Sequence, residues 1–359
     1  MAWDWCDQDR ADEWQVELVD PHDATRSRGE LRGVTSAKVS YVWDAEGRAS
    51  ATVETLAPDG DDGWVEASRL RVWHVIREWG WREALFCGYV KSRKDEWTSG
   101  GLRATYELGS ALWAMSADLW TQPFAVGAGG TVRGAVGQVM SSCGRDYRLL
   151  AGAGDLRFTT SRVWQAGSSK LATLTDLCSL AGSRLDVDGM GLPTVGPARV
   201  PTASDAARWT LDASGPGSVV VSSVEHSSTA GQVPGRYVVT HKEKDNVTVG
   251  VATADASNPA SAQRRGFTIA ETEEVTDLPG GQAQANQLAA EALEARSAAD
   301  EEWRMTCLYF PARPGDACRL RLGGAANAAI GTRACYVREV DADCLAGTMD
   351  ITLRGCRYA

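Results

Sequence analysis

One pattern of strands occurs twice in this chain, near its start and at its end. Leu70 to Ser110 reads LRVWHVIREWGWREALFCGYVKSRKDEWTSGGLRATYELGS, and Asp316 to Cys356 reads DACRLRLGGAANAAIGTRACYVREVDADCLAGTMDITLRGC. Each holds a strand, a turn broken by Gly or Trp, a strand of Cys-(Gly)-Tyr-Val-basic type, a polar loop and a last alternating strand. That last strand ends in Gly109-Ser110 in one copy and Gly355-Cys356 in the other. Identity between the copies is low, so the similarity is one of pattern. Two copies imply two related β-modules flanking something else, and a ring of such chains would show twice as many modules as subunits.

A chain of 359 residues exceeds ordinary single-domain size, so two to four domains are expected. Its 43% apolar and 23% charged residues are those of a globular protein. The net charge of −10 opposes non-specific nucleic-acid binding, which needs a positive surface to displace counterions. Nine cysteines lie scattered without CxxC pairs and read as buried small apolar residues in a reducing compartment. The acidic N-terminus lacks the basic-then-apolar order of a signal peptide, and no run approaches the roughly 18 apolar residues that span a bilayer.

Residues 1–110 alternate with period two. Trp14, Val16 and Leu18 share one face, as do Ala37, Val39, Tyr41 and Trp43, and Leu70, Val72, His74 and Ile76. This predicts five or six short antiparallel strands in a small barrel or sandwich. Residues 111–212 change texture. One helix runs from a Thr131 cap to a Gly144 stop. A second is capped by Ser168 or Ser169 and ended by Gly182, and a hairpin follows about Asp188-Gly189. In 213–359 strands resume at Val219–Val224, Arg236–His241, Val247–Ala252 and Gly266–Glu274, interrupted by one helix near 282–299. The expected fold is therefore a β-rich α+β chain, with two similar small β-barrel modules, 1–110 and 213–359, flanking an α+β domain at 111–212.

Chemistry-bearing constellations are scarce, and no catalytic, cofactor-binding or metal-ligating residue is assigned. His22, His74, His226 and His241 are far apart; His74 on an apolar strand face reads as a satisfied core histidine, and His226 and His241 as surface residues. The Gly-rich run Val126–Gly137 lacks the Gly-Lys-Ser/Thr of a phosphate loop and reads as the approach to the Thr131 cap. Asp186-Val187-Asp188 mimics the start of a calcium loop without its later ligands, so a two-residue hairpin turn explains it better. Asp59, Asp61 and Asp62 read as a solvated loop, and Asn246-Val247-Thr248 matches a glycosylation sequon without the secretory context. Of fourteen tryptophans, ten precede residue 115; Trp79 and Trp81 are the expected exposed pair, at a subunit interface in preference to a carbohydrate site.

The ordered set resembles the baseplate-hub, or tail-tip (minor tail), family of long-tailed bacteriophages. The residues that carry the resemblance are Leu85–Val90 with Gly88, Leu171–Gly189, Asn258-Pro259 through Arg265-Gly266, the 282–299 helix and Pro314-Gly315-Asp316. The resemblance implies a homotrimer in a virion tail or phage-like particle, such as a gene transfer agent. Its six modules would surround a DNA channel and adapt a hexameric tail tube to a threefold tip. It also implies distal-tail, tail-tube, tape-measure and tip or fibre proteins as partners, DNA only as passing cargo, no cofactor and no enzyme. The loops of both modules would line a channel of neutral or negative charge. Two other readings stay open: a hexameric distal-tail adaptor, and a Trp-rich carbohydrate-binding or cell-wall-acting protein.

Overall fold

The computed structural model describes residues 5–7, 10–57, 65–213, 218–228, 232–243, 246–256, 258, 260–275, 281–296, 301–323 and 331–356. The acidic trio Asp59, Asp61 and Asp62 lies outside them. The chain divides into two units, one of Met1–Pro201, Asp205–Ser223 and Met305–Thr352, the other of Thr202–Ser204, Val224–Arg304 and Leu353–Ala359.

The first unit begins with β1 (Glu13–Val19), β2 (Ser27–Glu30), β3 (Val34–Val42), β4 (Ala49–Ala57), β5 (Arg69–Ile76), β6 (Trp81–Thr98) and β7 (Gly101–Gly109). The period-two pattern does what it predicts: Ala37, Val39 and Tyr41 of β3 and Ala49, Ala51 and Val53 of β4 are buried, with Leu70, Val72 and Ile76 of β5. The 18-residue β6 serves two neighbours. Trp81 to Tyr89 pairs with β5, and Tyr89 to Thr98 pairs with β7.

The helical middle follows as α1 (Ala111–Ala117), β8 (Phe124–Val126), α2 (Val132–Ser142), β9 (Arg148–Leu149), β10 (Arg162–Trp164), α3 (Lys170–Leu180), β11 (Ser183–Val187) and β12 (Pro193–Pro197). The expected caps hold: Gly134 N donates to Thr131 Oγ1 at 3.1 Å and Ala172 N to Ser169 Oγ at 3.0 Å. Gly144 and Gly182 end the two helices with φ of +62° and +59°. The two-residue turn expected at Asp188-Gly189 is instead a five-residue loop. Asp188 N bonds Leu192 O, and the Asp188 carboxylate accepts from the Met190 and Leu192 amides. Asp188 thus serves as a turn acceptor, which is why the calcium-like string appears.

The remaining elements are β13 (Trp209–Asp212), β14 (Glu225–Ser228), β15 (Arg236–Glu243), β16 (Asn246–Thr253), α4 (Ala262–Arg265), β17 (Ala270–Glu274), α5 (Gly281–Arg296), β18 (Glu301–Leu308), β19 (Ala317–Arg321), β20 (Arg333–Asp343) and β21 (Thr348–Gly355). In the second unit β16, β15 and β17 form a sheet with one parallel pair, β15 with β17. Tyr237, Val239, Ala289 and Leu293 make the core between this sheet and α5. Gly250 permits their close approach, since a Cβ there would stand 2.2 Å from the Ala285 backbone.

The strand order repeats. β3-β4-β7-β6-β5-β1 runs in the same chain sequence and adjacency as β14-β18-β21-β20-β19-β13. β2 of the first copy has no counterpart in the second, and two further differences bear on the frame. β1 is antiparallel to β5 whereas β13 is parallel to β19. The short turn between β3 and β4 is replaced, between β14 and β18, by the whole β15–α5 segment. Closed barrels do not form among the described residues. The far half of β20 leaves its own meander and pairs with β3, Glu339 opposite Val42 through Asp343 opposite Lys38. The strands of the large sheet, apart from β13 and β19, therefore lie on one open path, while β8–β10 and β9, β11 and β12 form two small sheets of their own.

Candidate assembly surface

The face of this path turned away from the core is polar. Lys38 stands opposite Thr52 and Asp343, Thr52 opposite Glu107, and Glu107 opposite Ser92, which donates to it at 2.8 Å. The same alternation places Glu54, Arg103, Lys94, Glu96 and Asp341 on this face. A trough of about 470 Å³ crosses it, lined by Lys38, Ser40, Thr52, Thr306, Asp341 and Asp350 among others. Carboxylates outnumber cations, and short hydroxyl side chains fill the rest. Lys38 and Asp343 pair at 3.5 Å, and Thr306 Oγ1 donates to Asp350 at 2.6 Å.

Several strand edges have no further ladder partner among the described residues, β2 and β13 among them, and two matter here. β5 follows β6 only as far as Tyr89, so Ser92–Thr98 pairs on the β7 side alone. β14 pairs with β18, Glu225 opposite Arg304, and ends the sheet. All four β14 residues are exposed. Both edges carry charged and polar side chains, the composition that keeps an edge soluble until it meets its partner.

The tryptophans are placed otherwise than expected. Trp79 and Trp81 pack edge-on against Trp5, with centroids 5.4 and 5.3 Å apart. Among the described tryptophans the exposed one is Trp97, 78% accessible at the end of β6. Alternation could not show this, because Trp97 shares the core-side face but lies on the segment where β6 has lost β5. His74 is a core histidine, fully buried, 2.7 Å from Asp12 and stacked on Trp14. Burial raises the Asp12 carboxyl, but hydrogen bonds from His74 and Arg10 outweigh it and hold the group below 3.8. His226 is exposed and stacks on Trp303, while His241 is half-buried with Nδ1 2.9 Å from Val275 O. Nothing draws the four histidines together, and no group of three or more metal-ligating side chains occurs among the described residues. Asn246 opens β16 at an exposed position.

In fold, these sheets resemble solved phage tail proteins. The chain is similar over 95% of its length to a tail protein from Neisseria meningitidis (TM-score 0.67, 12% identity, 96% of that chain). It is likewise similar over 96% to the 43 kDa tail protein of prophage MuSo2 from Shewanella oneidensis (0.62, 11%, 98% of that chain). An E. coli type VI secretion component, described as structurally similar to the T4 tail proteins gp27 and gp5, matches at 0.53 with 11% identity, over 96% of this chain and 77% of that one. No family model and no curated protein sequence matches.

Proposed function

We infer that this chain is a structural hub or tail-tip protein of a tailed phage or phage-like particle, three copies of which form a pseudo-sixfold ring around the DNA passage. The observation that carries the reading is the repeated strand order. One junction between the copies, β20 with β3, is made within the chain. The edges that would make the equivalent junction between chains, β6 at Ser92–Thr98 and β14, are exposed and have no such ladder among the described residues. Pairing β6 of one subunit with β14 of the next would reproduce the internal junction three times and cover both of these edges. The modules 1–110 and 213–359, the second extended back to take in β13 (Trp209–Asp212), are then its quasi-equivalent blocks, with the stretch between Gly109 and β13 and the β15–α5 segment as additions to them. The wet, carboxylate-rich sheet face suits the passage, because a basic lining would hold DNA through many phosphate contacts. Tail-tube, distal-tail, tape-measure and tip or fibre proteins would be its neighbours in the virion tail. No residue is given a catalytic role.

Native mass spectrometry with hydrogen exchange tests this. The expected species is a trimer in which amides of 92–98 and 225–228 are protected relative to the dilute monomer. A hexamer of this chain alone, or a trimer in which both segments exchange as fast as in the monomer, would overturn the assignment.

A further inference from the structure

We propose that Cys318 and Cys335 form a modification site, a dithiol that closes to a cross-strand disulfide when the protein leaves a reducing for an oxidising medium. Cys318 of β19 stands directly opposite Cys335 of β20 in the antiparallel register. Opposed residues of such a pair have Cα atoms about 4.5–5.5 Å apart and side chains on one face. That spacing lies inside the disulfide range of about 4.4–6.8 Å. The Cβ atoms must still approach by up to roughly 1 Å. The ladder has slack for this two residues away. Gly315 N donates to Val337 O and Val337 N to Asp316 O, so two residues oppose one in a bulge.

Cys318 and Cys335 are the pair that the β19–β20 register brings together. Cys87, Cys178, Cys307 and Cys344 are buried, and none stands opposite another cysteine in the described ladders. Cys318 and Cys335 are themselves 2% and 0% accessible, so reaction requires β19 to open. β19 is five residues long, and among the described residues its pairing beyond β20 is the four-residue ladder to β13, so opening that short ladder would bare the thiols.

The oxidant is a small disulfide of the glutathione class. One cysteine loses its proton and attacks that disulfide, forming a mixed disulfide and expelling one small thiolate. The second cysteine, also deprotonated, displaces the other small thiolate and forms the Cys318–Cys335 bond. The net change oxidises two protein thiols and reduces one small disulfide to two thiols. The bond would tie β19 to β20 across the Gly- and Ala-rich segment 322–332, constraining the unfolded chain more than the folded one.

The test incubates the full chain with oxidised glutathione, alkylates it after denaturation, and maps disulfide peptides by mass spectrometry. The expected product is a Cys318–Cys335 linkage with seven of the nine cysteines still alkylated. Mild urea should speed its formation, and the oxidised protein should melt about 5 °C higher. Cys318→Ala and Cys335→Ala should each abolish both the linkage and the shift, whereas Cys178→Ala should keep them. Should either variant fail to fold, the peptide map of the wild-type chain decides alone. Nine alkylated cysteines at every oxidant concentration, a persistent glutathione adduct, or a linkage through other cysteines would overturn the proposal.

Discussion

The two copies of the strand order share a frame and differ in what their hairpins carry. In the first, β3 returns to β4 through residues 43–48, where Arg48 adopts a φ of +56°. In the second, the matching return carries β15, β16, α4, β17 and α5, with a core of its own around Tyr237 and Leu293. A hairpin end accepts an addition of this size because lengthening a loop costs little closure entropy and disturbs no ladder. The edges differ too. The first copy has its β3 edge covered by β20, whereas the second leaves β14 uncovered. The sheet frame is thus the shared part, and the turns and edges carry the differences.

The strongest way to break the comparison is to truncate the same kind of core residue in both copies. Leu70 in β5 and Leu320 in β19 are both fully buried. Each Leu→Ala change should cost about 3 kcal/mol in urea unfolding of the first unit, and the two costs should agree within about 1 kcal/mol. A Leu320→Ala cost below about 1 kcal/mol would show that the second frame is not packed like the first.

Next in size is the polar contact at the start of β1. Asp12 pairs with buried Arg10 at 2.9 Å and with His74 at 2.7 Å. Asp12→Asn should destabilise the first unit by about 2–3 kcal/mol. Because the folded carboxyl is held below its ordinary 3.8, its contribution is complete above that pH and is lost as the pH falls through the lower folded value. Wild-type stability should therefore fall more steeply than that of Asp12→Asn below about pH 4. Parallel acid-unfolding curves would count against this account.

Much of the frame was legible because burial on one face enforces alternation. The strands of 1–110, the Thr131 and Ser169 caps and the Cys-Tyr-Val echo all rest on local chemistry. Pairing was not legible. The parallel partners β13–β19, β15–β17 and β12–β9 join segments far apart in sequence, and no alternation states a direction. The diversion of β20 to β3 escaped for the same reason, since a strand long enough to serve two neighbours looks like any long strand. At the surface, the excess of carboxylates was visible in composition, but their common face was not. Trp97 could not be distinguished from Trp79 and Trp81 without the register that leaves β6 alone beyond Tyr89.

A smaller expected effect concerns the inserted segment. A Cβ at position 250 would meet the backbone of Ala285, which cannot rotate away. Gly250→Ala should therefore push α5 from β16 and cost about 2 kcal/mol. If the insertion is an addition to an independent frame, faster hydrogen exchange should be confined to residues 236–296. Equal acceleration in β3 to β7 would show that the frame depends on its insertion.

The smallest effect tests what holds the internal junction together. Lys38 and Asp343 face each other across β3 and β20, but their side chains are 65% and 36% accessible, so solvent screens most of their attraction. Tyr41 and Val340, opposed in the same ladder on the core side, are 5% and 2% accessible. Apolar burial with backbone pairing should dominate, and Lys38→Ala should change stability by less than about 0.5 kcal/mol, fading further in high salt. Val340→Ala at the same junction should cost about 1–2 kcal/mol and be indifferent to salt. A larger and salt-sensitive loss from Lys38→Ala would mean that charge, not packing, fixes this register. The charged edge at Ser92–Thr98 would then be the place to look for the same rule between chains.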